Sequence, residues 1–205
     1  MDMSAVTTPI RLSRLTLSGE RSLESVLQTR RSVREYARKP LTRDELAQLL
    51  WAAQGVTGPG SLRTAPSAGA LYPLEVDVVI GEVDGLPSAI YRYSPDRHEL
   101  VLTRGGDRRR ELRAAALGQD CVEAGAAVIA LAGVYARTSE KYGERGIRYV
   151  HMEVGHAAQN VCLQATAFGL GTVVVGAFED GPVKRVLGLA SDEEPLSLIP
   201  VGHPL

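Results

Sequence analysis

Residues 148–175 read RYVHMEVGHAAQNVCLQATAFGLGTVVV. Arg148 to Phe168 carries Val154, Ala157, Ala158, Val161, Leu163 and Ala165 and stops at Gly169, which predicts one long helix. Its small and apolar residues fall on more than one face, so the helix is expected to be central and buried. Thr172 to Val175 is a short continuous apolar run, the pattern of a buried strand. Gly169-Leu170-Gly171 between them looks like part of a dinucleotide fingerprint. It follows a helix and enters a strand, whereas a phosphate-binding turn needs a helix N-terminus facing the pyrophosphate, so a Rossmann site is set aside.

Outward from this stretch, helices and strands interleave without a regular βαβ rhythm. Ser22 caps a helix with Leu23, Val26 and Leu27 on one face, ending near Arg30-Arg31-Ser32. Thr42 and Glu45 form a capping box ahead of Leu46, Leu49, Leu50 and Ala53, with Gly55 as the stop. Thr57 to Pro73 is rich in Gly, Pro and Ser and is expected to be a functional loop. Val76–Ile80, Ile90–Tyr93 and Glu99–Leu102 read as strands, the last two joined by a turn at Ser94-Pro95-Asp96. Arg108 to Leu117 reads as a helix with a solvated basic face, Val128–Leu131 as a buried strand, Pro182–Leu187 as a short helix and Leu196–Val201 as a closing strand. This order predicts an α+β fold with a mixed β-sheet flanked by helices. Residues 23–205 are expected to form one domain-sized core and residues 1–22 an N-terminal arm.

Composition narrows the function classes. Lys plus Arg number 23 and Asp plus Glu 24 among 205 residues, a net charge of -1, so no bulk charge draws the chain to nucleic acid or an anionic membrane. No apolar run approaches the roughly 20 residues of a membrane span. Met1 to Ser22 is polar and carries Arg11, Arg14 and Arg21, without a secretory h-region. The two cysteines, Cys121 and Cys162, lie in no CxxC motif and are expected to pack, so neither a disulfide scaffold nor a metal site is expected. A reduced cytoplasmic enzyme or binding protein remains.

Three segments carry chemistry. Arg30-Arg31-Ser32-Val33-Arg34 puts three guanidiniums and a hydroxyl within five residues, enough to grip a phosphate and leave a cation for a second anionic point. Arg63 to Pro73 offers small side chains that let backbone approach a flat ligand. Lys141-Tyr142, flanked by Gly143 and Gly146, places two proton carriers on a loop. Glu153 and His156 fall at i, i+3 as on a di-iron helix, but the motif has no second copy. His151 and His156 read as packed helix surface.

In this order, RRSVREY (30–36), LLWAAQGVTG (49–58), RTAPSAGALYPLEV (63–76), YRYSP (91–95), AALGQ (115–119), KYGERGIRY (141–149), GHAAQN (155–160) and FGLGTVVVGAF (168–178) resemble the FMN-dependent nitroreductase superfamily. Within it they are similar to the SagB-type dehydrogenases, which include thiazole/oxazole oxidases. The resemblance implies an obligate homodimer with FMN at the interface. Arg30, Arg31 and Ser32 would hold the phosphate and Arg34 would lie near the N1/O2 edge, where a cation favours hydride acceptance at N5. Pro66, Ser67, Ala68, Gly69 and Leu71 would reach the flavin from the partner subunit. Gln119 would supply an amide, and Val175, Gly176 and Ala177 backbone on the N5 side. Where many relatives end in a basic phosphate contact, this sequence has His203. Lys141 and Tyr142 would be the catalytic pair, taking a Cα proton from a thiazoline or oxazoline of a modified peptide while hydride passes to N5. A cyclodehydratase that makes the azoline is the implied partner. Two other functions fit the same residues: an NAD(P)H-dependent nitroaromatic or quinone reductase, and a flavin-binding partner subunit without catalysis of its own.

Overall fold

The computed structural model describes residues 8–205, so the first seven residues of the expected arm lie outside the described part. The rest of that arm begins with a two-residue strand, Ile10–Arg11 (β1). Leu23–Thr29 (α1) follows with Ser22 as its cap, the hydroxyl accepting the Ser25 N–H. Arg43–Gln54 (α2) carries the expected capping box, with Thr42 and Glu45 satisfying each other's backbone N–H groups. Val56–Gly58 (β2) and Leu62–Arg63 (β3) form a small hairpin inside the Gly/Pro/Ser-rich stretch. That stretch is therefore structured rather than an open loop.

Leu74–Ile80 (β4), Ala89–Ser94 (β5) and Glu99–Gly105 (β6) run as a meander. Arg109–Ala115 (α3) and Asp120–Ala124 (α4) lead into the central strand Ala127–Gly133 (β7). Tyr135–Tyr142 (α5) and the 23-residue helix Arg145–Ala167 (α6) come next. Gly171–Thr172 (β8), Asp180–Leu187 (α7) and Glu194–Gly202 (β9) complete the chain. The sheet has seven strands in the order β1-β6-β5-β4-β7-β9-β8. Its strand pairings are antiparallel, and parallel contact comes from the single bridges Ser32–Thr172 and Leu41–Val83.

Each sheet face buries its own core, as the two-residue period of a strand requires. Val76, Val78, Ile80, Ile129 and Leu131 pack with Leu46, Leu49 and Leu50 of α2 and Val150, Val154, Ala157 and Val161 of α6. On the other face Val79, Val128 and Ala130 meet Leu112 of α3, Val122 of α4, and Val183 and Leu187 of α7. Beyond that core Arg92 on β5 holds Asp77 bidentately at 2.7 and 2.9 Å and Glu193 at 2.8 and 2.9 Å. This ties the turn before β9 to the sheet.

Three expectations need correction. The long helix begins at Arg145, and α5 occupies what reads as a loop. Thr138 and Ser139 favour caps over helix interiors, and close packing on α6 overrides that preference: a Cβ on Gly146 would lie 2.8 Å from Ser139 Cα. The Val-rich strand is only Gly171–Thr172, because Val173 and Val175 turn into the second core and Val175 rejoins β9 through one bridge to Leu198.

Candidate functional site

The first group of predicted residues gathers along β8. Val33 N–H donates to Thr172 O at 2.8 Å, and this bridge lays the Arg30–Arg34 segment against the strand. The approach needs a glycine, since a Cβ on Gly171 would lie 2.7 Å from the Val33 side chain. Arg30 comes close enough to the buried Cys162 thiol to favour its ionised form, as does a hydrogen bond from Thr172, although burial raises that thiol overall. Arg34 acts in the same sense on Cys121, which burial also raises. Both cysteines are reduced and buried, inert packing positions.

Gln119 precedes α4. Its Nε2 donates to Ala116 O at 3.0 Å and Ala177 O at 2.7 Å, so the amide joins two loops. Val175 spends both backbone groups on Leu198, at 2.8 and 3.0 Å. Gly176 and Ala177 are exposed, and nothing lies within 4 Å of a Cβ built on Gly176. Arg31 folds back, its Nη1 donating to Gln28 O at 2.9 Å and Arg30 O at 2.7 Å, where it answers the free carbonyls at the end of α1. Among the described residues, Arg30, Arg31 and Arg34 have no carboxylate in ion-pair range. His203, next to Gly202 where β9 pairs with β8, has a buried Nε2 without a partner. Uncommitted cations, a hydroxyl, an orphaned ring nitrogen and an open backbone ledge together suit a phosphate joined to a flat ring system.

The second group gathers where α5 meets α6. Lys141 and Tyr142 lie in the last turn of α5 and not on a loop. Gly143 follows at φ +60°. Tyr142 packs edge-on against Tyr149, with ring centroids 5.3 Å apart. Its hydroxyl and the Lys141 side-chain nitrogen converge over Gly69: a Cβ there would lie 2.8 Å from Tyr142 Oη and 2.9 Å from Lys141 Nζ. Gly69 has φ +65° and Ala70 and Tyr72 also take positive φ, strain that persists only where surroundings enforce it. Ser67, Ala68 and Leu71 are half-buried, and Pro66 is exposed.

Glu153 and Asn160, two helical turns apart on α6, hold this loop. Glu153 accepts the Ala68 N–H at 2.9 Å, and Asn160 Nδ2 donates to Thr64 O at 3.3 Å. Sequence reasoning weighed Glu153 only against a di-iron motif and gave Asn160 no role of its own. The available signal was a carboxylate flanked by Val150, Val154 and Ala157, inside the apolar arc of a helix. The two histidines are exposed, and His151 Nε2 pairs with the Tyr135 hydroxyl at 2.6 Å.

Comparison with known proteins gives this arrangement a family. The profile of the nitroreductase family matches residues 27–203, and the chain belongs to that family, whose members are generally flavin-dependent oxidoreductases. A Methanocaldococcus jannaschii protein with a provisional nitroreductase name, MJ1384, is 50% identical over 184 residues, covering 90% of this chain and 92% of that one. The trifolitoxin operon protein TfxC of Rhizobium leguminosarum bv. trifolii is 28% identical over 192 residues, 86% of this chain and 54% of TfxC. A Ralstonia eutropha crystal structure with a provisional nitroreductase name superimposes with a TM-score of 0.85 at 30% identity, over 98% of this chain and 91% of that one. One from Anabaena variabilis gives 0.79 at 35% identity, covering 89% of this chain, which spans only 38% of that longer chain. The fold is also shared with the Escherichia coli microcin synthetase McbBCD complex, with truncated pro-MccB17 bound, at a TM-score of 0.73 and 24% identity over 95% of this chain and 77% of that one.

Proposed function

We propose that the protein is an FMN-dependent oxidoreductase of the SagB type that oxidises thiazoline or oxazoline rings in a modified peptide. The observation that carries this reading is the convergence of Lys141 Nζ and Tyr142 Oη over Gly69 of the small-residue loop. A base beside a ligand-facing backbone is what removal of a Cα proton needs. The relation to TfxC, a toxin operon protein, is compatible with a peptide substrate.

Arg30, Ser32 and Arg34 would hold the FMN phosphate and ring edge, with His203 adding a nitrogen donor from the C-terminal side. Gly176 and Ala177 would face the ring, while Gln119 and Val175 fix the ledge that carries them. Arg31 would join after leaving the α1 carbonyls. Bound FMN supplies a two-electron acceptor for the hydride lost from the azoline carbon. Lys141 or Tyr142 takes the Cα proton, so the ring loses one proton and one hydride and becomes aromatic.

The same chain geometry supports a homodimer. Cys162, beside the Arg30 group, and Glu153, beside the Gly69 group, are nine residues apart on α6. At 100° and 1.5 Å per residue they lie on opposite faces, about 14 Å apart along the axis. The helix itself separates the two groups within one chain. One flavin touching both would take Arg30, Ser32 and Arg34 from one copy and Pro66 to Leu71 with Lys141 and Tyr142 from its partner. Residues 23–205 would form this unit, with residues 8–22 as its arm.

Absorbance of the purified protein, with identification of the released chromophore, should give FMN near one per chain. Turnover of an azoline peptide should then fall at least 100-fold in Lys141→Ala and Tyr142→Phe. A colourless protein that does not bind added FMN refutes the cofactor assignment. Full rates in both variants refute the catalytic pair. Rapid NAD(P)H oxidation with a nitroaromatic and none with an azoline would make the protein a reductase. Tight capture of a cyclodehydratase without any turnover would make it a partner subunit.

A further inference from the structure

Glu153 is a carboxylate only 3% exposed, and the proposed chemistry does not use it. Burial raises its pKa, while the Ala68 N–H, donating to Oε1 at 2.9 Å, counters the rise. Ser67 braces the same turn from within: its Oγ accepts the Tyr72 N–H at 2.9 Å and its carbonyl accepts the Ala70 N–H at 3.1 Å. Glu153 thus anchors this turn from below at Ala68. Gly69, Ala70 and Tyr72 in that turn sit at φ +65°, +54° and +47°. Free chain avoids this run of left-handed residues, so something must hold it. From above, the turn is covered by Lys141 Nζ and Tyr142 Oη.

We infer that Glu153 is a positioning residue: it holds the strained Ser67–Tyr72 turn in the geometry that gives the Lys141 and Tyr142 side chains a common seat over Gly69. Glu153 acts through the turn and touches neither the substrate nor the pair. The inference rests on reading Lys141 and Tyr142 as the proton-transfer pair, and its test separates the two ideas. A carboxylate is retained at a buried position, despite its desolvation cost, because the Ala68 N–H requires an acceptor there.

The experiment compares Glu153→Ala and Glu153→Gln with the parent holoenzyme. Amide hydrogen exchange is measured across residues 67–72, together with kcat and KM on an azoline peptide. In E153A, exchange in this turn should accelerate at least 10-fold while segments of β7 and β9 stay protected. Its kcat should fall at least 10-fold with KM within twofold. E153Q keeps an oxygen for the Ala68 N–H and should recover both readouts to within about threefold of the parent. Unchanged exchange in E153A overturns the inference, as does equal loss of kcat in E153A and E153Q. If E153A does not accumulate folded, Glu153→Asp, whose shorter side chain draws the acceptor away from the Ala68 N–H, takes its place, and unchanged exchange there also overturns the inference. Full turnover in Lys141→Ala and Tyr142→Phe would refute the catalytic pair alone, since the exchange result is read without turnover.

Discussion

Replacing Gly69 by alanine separates backbone strain from displacement of the groups above it. At φ +65° an added Cβ costs about 1–2 kcal/mol. That carbon would also lie 2.8 Å from Tyr142 Oη and 2.9 Å from Lys141 Nζ, where ordinary contacts begin at 3.4 Å. Both atoms must retreat by roughly 0.5–1 Å to reach a normal separation. They are the free ends of flexible side chains, so unfolding experiments should register only the backbone cost. Catalysis is less tolerant, because a displacement of about 1 Å costs on the order of 100-fold in rate. Gly60 provides the control: its φ is +73° and nothing lies within 4 Å of an added Cβ. Urea unfolding should show G60A and G69A both losing about 1–2 kcal/mol. Azoline oxidation should fall roughly 10- to 100-fold in G69A and stay near the parent rate in G60A. Full turnover in G69A, or equal rate loss in both, refutes the reasoning.

Arg92→Leu leaves Asp77 and Glu193 buried without their partner, and guanidinium unfolding should show a loss of about 3–5 kcal/mol; a loss below about 1 kcal/mol would show that the network adds little. Burial pushes the Asp77 carboxyl up to about 6 from an ordinary value of 3.8, so its stabilising contribution is complete below 3.8 and is lost as pH rises through about 6. The stability of the parent relative to Asp77→Asn should therefore fall by about 2 kcal/mol between pH 4 and pH 7, and a flat difference would refute the shift. Thr42→Ala removes one half of the α2 capping box and should cost about 0.5–2 kcal/mol in thermal unfolding, with flavin content unchanged.

Local rules read the scaffold well where chemistry and geometry are close in sequence. The Ser22 and Thr42 caps, the strand runs on β4, β5 and β7 and the apolar arc of α6 each follow from neighbouring residues. The same rules fail at α5, whose Thr138 and Ser139 become helical only against Gly146, and at Val173 to Val175, where a strand-forming run bends into a core it cannot foresee. In the candidate site, the sequence names Lys141, Tyr142 and the Gly69 loop but not that they touch. It gives no hint that Glu153 and Asn160 hold that loop, because their partners lie 85 and 96 positions away. It also offers Arg31 as a phosphate ligand, while the folded chain turns that side chain onto the carbonyls ending α1.

The sequence by itself determined which segments could become helix or strand, the balanced charge and the residue types able to grip a phosphate and move a proton, because these depend on side-chain chemistry and spacing along the chain. Only the tertiary structure decided which of those segments meet. Packing α6 between two groups of candidate residues places Arg30 beside Cys162 on one face and the Gly69 loop, under Lys141 and Tyr142, beside Glu153 on the other, and that separation is set by contacts between residues far apart in sequence.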